Sequence, residues 1–539
     1  METSEPNVPA FPRTVGVIGG GTAGHFAALA IKRRFPELQV TLVESSAVPI
    51  IGVGEATTSR MPPFLHAQLG LDIVEMFRAV GPTFKLGIKF EWGPPEVSSF
   101  TYPFGDAWPI ESFAYERDLR PQSLVSMLLG DGSGPVVRAP DGSLLSLLPS
   151  LKFAYHLDNQ RFVAFLAEAA RRAGIEHVDA TLDRATPLPD GAGIASLRAA
   201  DGGELAFDFY VDATGFRSLL LEGALGSPFE SYASSLLCDR AIVATVPQPG
   251  PVEPCTTAET MDAGWCWRIP VVGEDHRGYV HASAFLDEDA AVAEMRAKNP
   301  GMGEPRVVRF RSGRHRDFWI GNTVSLGNAY GFVEPLESTA LHMVILSLAY
   351  VLEGLATLRE GRGDPGFPAF ASRSVGAHWD YLRWFLAVHY RFNRRLDTPF
   401  WRAARAEVDV SGAAEMLERF RLEGPWVADH DATRVRSPGE GSRFATADPT
   451  FGYSGLMMLL LGQRAPGSER ARPAMDRAAW DVMAARHRAV AARALPHREA
   501  LEALLAHPEM LARFVSAPSS WCHAEGRLPA PLAARVSRA

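Results

Sequence analysis

The sequence predicts a mixed α/β protein with a dinucleotide-binding, Rossmann-like core, interleaved sheet elements and a mostly helical C-terminal part. Three observations carry this prediction: a β-α-β signature near the N-terminus, a later strand that closes on Asp-x-x-Gly, and helical periodicity beyond residue 364. The order of these patterns indicates one interleaved core domain over residues 1–360. We expect a helical domain that covers the core over residues 361–539.

The first β-α-β unit spans residues 15–44. Apolar residues predict a buried strand from Val15, and Gln39–Glu44 predicts a second strand after a helical stretch. The turn between them has the spacing G-x-G-x-x-G, whose glycines permit a tight turn, the close approach of a pyrophosphate, and helix–strand packing. A carboxylate at the end of the second strand suits ribose hydroxyls, whereas the alternative is an ordinary glycine-rich turn. The residues expected to bind a dinucleotide are Gly19, Gly21, Thr22, Ala23, Gly24 and Glu44.

Three further stretches are expected at the same dinucleotide. Two glycines close together in Ile50–Thr58 predict a loop over a ligand, with a surface turn as the alternative. The apolar strand that ends in Val211–Phe216 closes on Asp-x-x-Gly, as in a second cofactor-facing turn of two-dinucleotide folds. Another apolar strand begins at Thr323 and leads through a Gly/Pro loop into a long helix. The residues expected at the cofactor are Gly54, Glu55, Ala56, Asp212, Gly215 and Gly327.

Composition argues against several classes of function. The 539 residues are 47% hydrophobic and 22% charged, with a net charge of −8, so neither nucleic acid nor an anionic membrane is an expected partner. No run approaches the roughly 18 uninterrupted apolar residues of a spanning helix, and Met457–Leu461 is far shorter. Met1–Arg13 lacks a secretion-signal pattern, which predicts a cytoplasmic protein. The cysteines have no C-x-x-C spacing and predict reduced thiols without a metal site: Cys238, Cys255, Cys266 and Cys522.

The remaining chain alternates between strand and helix patterns. Thr83–Trp92 predicts one strand with Lys85 and Lys89 on the same face. Residues 96–150 are rich in Pro, Gly and Ser and predict long loops. Further strands are expected at Gly193–Arg198, Glu204–Tyr210, Arg240–Val246, Trp265–Val272, Gly278–Phe285 and Arg306–Ser312. Helices are expected at Pro62–Ala79, Tyr155–Ala173, Leu341–Leu358, His378–Tyr390, Pro399–Ala406, Gly412–Phe420, Phe451–Leu461 and Arg477–Leu505, with a surface link at Ser437–Thr446. The helix in Tyr155–Ala173 is expected to start near Asp158, which can cap it.

Five stretches of the chain, taken together, carry a family resemblance. They are Gly19–Gly24, Gly52–Ala56, Phe84–Phe90, Gly264–Pro270 and Gly331–Thr339, with further agreement at Asp239–Ala241 and Asp397–Trp401. In combination they resemble the flavin-dependent halogenases, specifically the tryptophan-halogenase branch, from about residue 13 to about residue 405, with a weaker similarity at Leu495–His497. The Trp-x-Trp-x-Ile-Pro stretch and the Glu-Pro-Leu-Glu-Ser-Thr loop are the specific signals. The resemblance implies an FAD-binding core of the glutathione-reductase/monooxygenase type with an interleaved substrate sheet.

The resemblance also implies a reaction. In the family, reduced FAD (FADH2) and oxygen convert chloride or bromide to hypohalous acid, which travels through a tunnel and halogenates an electron-rich aromatic compound. The halide needs an anion site beside the flavin, and backbone N–H groups at a helix N-terminus provide one. The residues implied to bind the halide are Ser338, Thr339 and Ala340, ahead of the helix Leu341–Leu358; the family usually has Gly at position 340.

Lys85 and Glu337 match the two catalytic positions of the family. An ordinary lysine pKa of about 10.4 leaves an ammonium at Lys85 that polarises the halogen–oxygen bond, whereas a chloramine route needs a neutral amine and therefore burial. Glu337 matches the carboxylate that stabilises or deprotonates the arenium ion. The structural alternatives are a solvated strand lysine and an acid at a helix N-terminus. Lys89 is the rival lysine, but alignment with the motif favours Lys85.

Aromatic residues are implied around both the flavin and the substrate. Trp265 and Trp267 lie two apart on a predicted strand, face the same way and are implied to keep substrate from the flavin, with core packing as the alternative. In Thr101–Gly105, tyrosine replaces the histidine of tryptophan halogenases while the phenylalanine remains. This change favours a substituted indole, a peptide-borne tryptophan or another bulky aromatic compound over free tryptophan. The residues implied at the substrate are Tyr102, Pro103, Phe104, Phe451 and Tyr453.

Two other classes of function remain open. An FAD-dependent aromatic monooxygenase, a hydroxylase, would share the fold but not the pairing of Lys85 with Glu337. A non-enzymatic flavin-binding protein would account for the glycine turn alone. No nicotinamide-binding motif is visible in the sequence, so the implied partner is a separate flavin reductase that delivers reduced FAD. Such enzymes are commonly homodimers.

Overall fold

The structure is a computed structural model that describes residues 10–48, 54–105, 109–426 and 452–522. The strands in these ranges are β1 (Thr14–Ile18), β2 (Gln39–Glu44), β3 (Glu55–Ala56), β4 (Thr83–Lys85), β5 (Gly87–Glu91), β6 (Phe100–Pro103), β7 (Ser133–Arg138), β8 (Leu144–Ser146), β9 (Ala154–Leu157), β10 (Glu176–Asp179), β11 (Leu182–Pro187), β12 (Ile194–Ala199), β13 (Glu204–Leu205), β14 (Phe209–Asp212), β15 (Phe229–Ser231), β16 (Arg240–Gln248), β17 (Cys255–Met261), β18 (Gly264–Val271), β19 (Gly273–His281), β20 (Arg306–Arg309), β21 (Gly313–His315), β22 (Trp319–Ile320), β23 (Thr323–Ser325), β24 (Gly331–Phe332) and β25 (Ala494–Pro496). The helices are α1 (Thr22–Arg34), α2 (Met61–Pro63), α3 (Ile73–Val80), α4 (Pro109–Glu116), α5 (Leu124–Gly130), α6 (Asn159–Arg172), α7 (Glu288–Lys298), α8 (Ala340–Arg359), α9 (Phe367–Phe392), α10 (Pro399–Glu407), α11 (Ala414–Glu423), α12 (Gly452–Gly462), α13 (Arg477–Ala491), α14 (His497–Ala506) and α15 (Pro508–Ser516).

A six-stranded sheet forms the core and confirms the predicted Rossmann-like class. Its strand order is β10-β2-β1-β14-β23-β22. The first five of these strands are parallel, and β22 runs antiparallel to β23. The predicted β-α-β unit β1-α1-β2 and the later strand β14 lie side by side in this sheet, where β1 pairs with both β2 and β14. β1 and β14 are buried almost throughout, which is why their sequences are continuous apolar runs.

A seven-stranded sheet has the order β20-β16-β19-β18-β17-β5-β6. The predicted strands at β16, β18 and β20 are confirmed with small changes at their ends. The strand predicted at Gly278–Phe285 overlaps β19 only over residues 278–281, because β19 begins at Gly273 and ends at His281. β17 was missed because Cys255–Met261 contains mostly small and polar residues. Trp265 and Trp267 both lie in β18, with ring centroids 6.0 Å apart, so the predicted shared face is confirmed.

The predicted single strand Thr83–Trp92 is wrong. The strand is interrupted at Leu86, whose backbone N–H donates to the carbonyl of Pro254 at 2.7 Å. As a result β4 belongs to the three-stranded sheet β3-β9-β4, while β5 belongs to the seven-stranded sheet. Lys85 ends β4 and is fully buried, whereas Lys89 is half-buried beside Glu91 at 3.9 Å. The two lysines therefore occupy different environments despite their spacing of four residues.

Several other predicted boundaries change. Residues 96–150 were expected to be loops, but they contain β6, α4, α5, β7 and β8. The predicted helix Arg477–Leu505 is interrupted at β25, which pairs with β7; a proline at position 496 cannot continue α13. By contrast, the helix predicted to start near Asp158 within Tyr155–Ala173 is confirmed: it begins at Asn159, and Asp158 accepts the N–H of Arg161 at 2.8 Å as the N-cap. The surface link Ser437–Thr446 lies outside the described residues.

The long helix α8 is the apolar centre of the second half of the chain. It has 20 residues and a mean hydropathy of 1.7 over its most apolar 18-residue window, which by length and composition is enough to cross a membrane. The helix itself was predicted as Leu341–Leu358, but its spanning length was not, because polar residues interrupt the apolar run. In the fold 61% of this window is buried, so packing against the rest of the chain accounts for its apolar character. Its N-terminus faces the central cavity described below.

The side chain of Asp212 stabilises the turn after β14 by hydrogen bonds. Its carboxylate is fully buried and accepts the N–H groups of Thr214, Leu220 and Leu221 at 2.8–3.0 Å, together with the Thr214 hydroxyl at 2.7 Å. These bonds hold the turn that follows β14 against the end of β1. The acid of the Asp-x-x-Gly pattern thus stabilises the backbone of this turn.

We predict that Asp212→Ala destabilises the fold by about 3 kcal/mol or more, because three buried backbone N–H groups lose their acceptor. Urea denaturation of the purified variant measures the effect. Asp201→Ala is the matched control, since Asp201 is exposed and, within the described ranges, accepts a single backbone N–H, that of Gly203. Equal shifts of the denaturation midpoint in the two variants would contradict this account.

Candidate active site

A cavity of about 420 Å³, called here the central cavity, opens at the carboxyl ends of β1, β2 and β14. This is the edge at which open parallel sheets bind ligands. The cavity continues along β16, β18 and β19 to the N-terminus of α8. Of the residues predicted at the cofactor, those lining it are Gly19, Gly21, Thr22, Ala23, Glu44, Gly54, Glu55, Ala56, Gly215, Trp267 and Gly327.

The glycine turn has the geometry that its spacing predicted. Gly19 has φ +120°, and a Cβ there would overlap the carbonyl oxygen of Ala213. A Cβ on Gly24 would overlap the carbonyl oxygen of Gly19, so Gly24 permits close packing without lining the cavity. A Cβ on Gly21 would meet no atom within 4 Å. The open space at Gly21 is where the backbone can approach a pyrophosphate.

Two acids line the cavity with different surroundings. Oε1 of Glu44 lies 2.6 Å from Nε2 of His177 at the end of β2. Glu55, in β3, has a pKa raised to about 7 because burial penalises its charged form. Glu44 therefore offers a carboxylate at the ribose position, and Glu55 can exchange a proton near neutral pH.

The two tryptophans of β18 have different partners. Trp267 lines the central cavity, its ring occupies the space that a Cβ on Gly278 would fill, and its Nε1 has no hydrogen-bond partner among the described residues. Trp265 is not part of the lining; its Nε1 donates to Oε2 of Glu334 at 3.0 Å. The structure thus brings Trp267 to the predicted cofactor and places Trp265 behind it. Asp212 likewise lies behind the lining.

The N-terminus of α8 presents the three residues predicted at the halide. Ser338 and Ala340 line the central cavity, and Ser338 has φ 58°, a left-handed conformation uncommon outside glycine. Thr339 is buried, and its hydroxyl has no partner among the described residues. The first amides of a 20-residue helix and an unsatisfied hydroxyl therefore converge beside the cavity. Such a site favours an anion.

Lys85 lies directly behind this anion site. Its Nζ donates to Oγ of Ser338 at 2.6 Å and stands 5.5 Å from the ring centroid of Phe104. Burial lowers the pKa of Lys85 to about 7, and the negative charge of Glu337 opposes that shift. An ordinary pKa near 10.4 would keep Lys85 as an ammonium, and burial is the condition under which a neutral amine was expected. Both the ammonium and the neutral amine are accessible at physiological pH.

The side chain of Glu337 is held in place by a residue of helix α9. Its Oε1 lies 2.8 Å from Nε2 of His389, and both side chains are buried. Nδ1 of His389 in turn lies 2.9 Å from the carbonyl of Phe385, which fixes the ring. Glu337 therefore has a buried imidazole partner that sequence reasoning did not identify. The signal was weak, because His389 sits in an ordinary helical pattern.

Glu334 is a second buried acid that sequence reasoning did not single out. Its Oε2 accepts from Trp265 and from the hydroxyl of Tyr390, and its Oε1 has no partner among the described residues. Burial raises its pKa to about 7. Glu334 and Glu337 are three residues apart in one loop, and they contact the adjacent residues Tyr390 and His389. Its position in the Glu-Pro-Leu-Glu-Ser-Thr stretch was the available signal.

The residues predicted at the substrate are only partly described. Tyr102 and Phe104 are half-buried at the end of β6, and Pro103 between them is buried. The contact of Phe104 with Lys85 described above places an aromatic ring beside the amine. Phe451 lies outside the described residues. The backbone of Tyr453 is described as part of α12, but its side chain is not.

A further link joins β4 to the central cavity. His156 of β9 lies 3.1 Å from the hydroxyl of Thr83 and 2.9 Å from that of Thr256, which lines the cavity. On the other side, the N–H of Phe84 donates to Nε2 of His497 at 3.2 Å. Burial lowers the pKa of His497 to about 4, so the ring is a neutral acceptor. The strand that carries Lys85 is thus anchored from two directions.

Comparison with known proteins gives consistent results. The tryptophan halogenase family model matches residues 14–479. Tryptophan 7-halogenase RebH of Lentzea aerocolonigenes is 32% identical over 438 residues, which cover 75% of this chain and 81% of RebH. The 7-chloro-L-tryptophan 6-halogenase KtzR of Kutzneria sp. (strain 744) is 32% identical over 446 residues, or 76% of this chain and 85% of KtzR.

Solved structures are similar over nearly the whole chain. MibH, described as a lathipeptide tryptophan 5-halogenase, is 45% identical with a TM-score of 0.88, covering 96% of this chain and 98% of MibH. Tryptophan 6-halogenase SttH of Streptomyces toxytricini is 29% identical with a TM-score of 0.80, covering 91% of this chain and all of SttH. The chain therefore belongs to the tryptophan halogenase family of flavin-dependent oxidoreductases.

Proposed function

We propose that the chain is an FADH2-dependent halogenase that uses oxygen and chloride or bromide to halogenate the indole ring of a peptide-borne tryptophan. The observation that supports this most directly is the buried hydrogen bond from Lys85 to Ser338. Ser338 also lines the central cavity, so the amine stands immediately behind the cofactor region. Glu337 precedes Ser338 in the same loop. A hydroxylating monooxygenase has no need of this arrangement.

The residues around the central cavity fit FAD. The turn that is open at Gly21 would hold the pyrophosphate, and Glu44 would accept from the ribose. The unpartnered Nε1 of Trp267 offers a further donor. Bound reduced FAD supplies, with oxygen, the oxidation of halide to hypohalous acid. The halide would lie at the amides of Thr339 and Ala340.

Lys85 acts on the hypohalous acid. As an ammonium, it donates a hydrogen bond to the oxygen and makes the halogen more electrophilic, since charge-assisted hydrogen bonds are the strong ones. When an aromatic carbon takes the halogen, the halogen–oxygen bond breaks and Lys85 protonates the leaving hydroxide to water. The low pKa of Lys85 makes this proton transfer easier than it would be from an ordinary lysine. The amine is reprotonated from solvent before the next turnover.

Glu337 acts on the aromatic ring. Its carboxylate stabilises the arenium cation and then accepts the ring proton, which restores aromaticity. His389 holds that carboxylate by a buried contact and is a positioning residue. Trp267 lines the central cavity from β18 and would keep the substrate indole away from bound flavin, so that hypohalous acid would be the species that crosses.

The proposed substrate is a tryptophan within a peptide. Two observations support a peptide over free tryptophan: tyrosine stands at position 102 where tryptophan halogenases carry histidine, and identity to MibH, at 45%, exceeds the 32% to RebH. Phe104 keeps one aromatic wall beside Lys85. Members of the family act on aromatic substrates and need a separate flavin reductase, which remains the expected partner.

We predict that Lys85→Ala abolishes the halogenated product, with a loss of at least about 10²-fold, because the general acid is removed. The assay combines the protein with FAD, a flavin reductase, NADH, oxygen and bromide, and detects the bromine isotope pattern by mass spectrometry. FAD binding should persist, since Lys85 does not line the central cavity. Lys89→Ala is the matched control and should stay active, because Lys89 is half-buried beside Glu91. An oxygenated product without halogen would indicate a monooxygenase instead.

The pH dependence should report the protonation state of Lys85. Because its pKa is lowered to about 7, the ammonium is present below that pH and is lost above it. We therefore predict that the rate of halogen transfer falls by about tenfold per pH unit above pH 7 in single-turnover measurements. Lys85→Arg keeps a cation at high pH, so the fall in rate above pH 7 should disappear in this variant. If Glu55 or Glu334 caused that fall, it would persist in Lys85→Arg. A rate that rises through pH 7 would support the chloramine route.

Substrate choice can be tested with a matched panel. We predict that a peptide with an internal tryptophan is halogenated with a kcat/KM at least about tenfold above that of free tryptophan, since the site departs from the free-tryptophan pattern. Phenols and simple indoles complete the panel. Tyr102→His restores the family residue and should shift the ratio toward free tryptophan. Preference of the unmodified enzyme for free tryptophan would refute the peptide assignment.

A further inference from the structure

Three potential metal ligands meet outside the central cavity. One donor atom each from Asp158, Glu274 and His276 lies within 4.8 Å of the other two. Asp158 and Glu274 are half-buried, and His276 is buried with 6% of its surface exposed. None of the three lines the central cavity or contacts Lys85 or Glu337 in the described part of the chain. We call this group the Asp158 cluster.

The backbone explains why these side chains converge. Glu274 and His276 are two residues apart on β19, so both project from the same face of the strand. Asp158 follows β9 and is the N-cap of α6, where its Oδ1 accepts the N–H of Arg161. That hydrogen bond uses Oδ1 and fixes the carboxylate at the start of α6. Two rigid elements therefore present the three groups.

His276 provides the independent sign of a ligand. Its Nε2 is buried and has no hydrogen-bond partner among the described residues. The nearest carboxylate oxygen, Oε1 of Glu274, is 3.6 Å away, which is too long for a hydrogen bond. A buried ring nitrogen without a partner costs free energy, and a cation between it and the two carboxylates would remove that cost.

We propose that the Asp158 cluster binds a divalent transition metal, with Zn²⁺ as the representative ion. One imidazole and two carboxylates suit Zn²⁺, Co²⁺ or Ni²⁺, whereas Mg²⁺ and Ca²⁺ prefer oxygen-only ligands. The half-buried carboxylates leave room for water to complete the coordination. No cysteine takes part, which is why the cysteine spacing gave no indication of this site.

The proposed metal has a structural role next to the flavin region. A Cβ on Gly54 would lie 2.7 Å from Cγ of His276, so the ring packs directly against the residue that precedes Glu55 in the cavity wall. Asn159 follows Asp158, lines the central cavity and accepts from the hydroxyl of Thr22. A metal at the cluster therefore ties β19 and the start of α6 to two stretches of the cavity wall. We expect it to tighten FAD binding.

The test measures metal binding directly, without turnover, so its result is independent of the proposed halogenation. Chelator-treated full-length protein is titrated with Co²⁺ and followed by visible absorption, and with Zn²⁺ by calorimetry. The proposal requires one ion per chain. Glu274→Gln and Asp158→Asn should each weaken binding by about tenfold or more. Both are isosteric, and Asn keeps the N-cap, so the fold is retained; circular dichroism checks this.

His507→Ala is the matched control. Nδ1 of His507 lies 3.4 Å from Oε1 of Glu509 on an exposed surface, so this pair has a histidine and an acid but no third ligand in the described part of the chain. Its removal should leave Co²⁺ binding unchanged, while His276→Ala removes it. A second readout is FAD affinity by fluorescence quenching, which Zn²⁺ should raise in the unmodified protein and leave unchanged in Glu274→Gln. Absence of stoichiometric binding, or equal binding in Glu274→Gln, would overturn the proposal.

Discussion

The hydrogen bond between Lys85 and Ser338 joins segments 253 residues apart and is the contact on which the site depends. It requires β4 to end at Lys85, and it requires the chain to turn sharply at Ser338 just before α8. The break at Leu86 and the left-handed φ of Ser338 are the local conditions for both. Because the amine is fully buried there, its ammonium loses hydration, and its pKa falls into the range where it can donate and regain a proton.

The loop that carries Ser338 is itself fixed by helix α9. Glu334 contacts Tyr390 and Glu337 contacts His389, which are adjacent residues of that helix. The loop is therefore held at two positions that are three residues apart in its own sequence. Trp265 adds a third contact from β18 to Glu334. Movement of α9 would therefore displace Glu337, Ser338 and the first amides of α8 together. Such coupling explains why a helix that carries no predicted catalytic residue is part of the site.

Local patterns predicted much of the lining of the central cavity, because the glycine turn there depends on backbone geometry that the sequence states directly. Gly19, Gly21 and Gly24 behave as their spacing requires, and Glu44 ends β2. The environment of Lys85 could not be predicted in the same way. Alternation over Thr83–Trp92 describes a continuous strand, whereas the break at Leu86 is caused by pairing with Pro254, far away in the chain. The role of His389 could not be predicted either, because its partner Glu337 is 52 residues away in the sequence.

The site also shows what a sequence-based estimate of charge omits. An exposed lysine would keep its ammonium at pH 7, and the pattern of charges in the chain gives no reason to expect otherwise. Burial reverses that expectation at Lys85 and, with the opposite sign, at Glu55 and Glu334, whose carboxyls become harder to ionise. The shifted pKa values of Lys85, Glu334 and the half-buried Glu55 are unfavourable for folding. So are the left-handed Ser338 and the Thr339 hydroxyl, which has no partner among the described residues. Their concentration around one cavity is best explained by chemistry, because nothing in the stability of the fold requires them there.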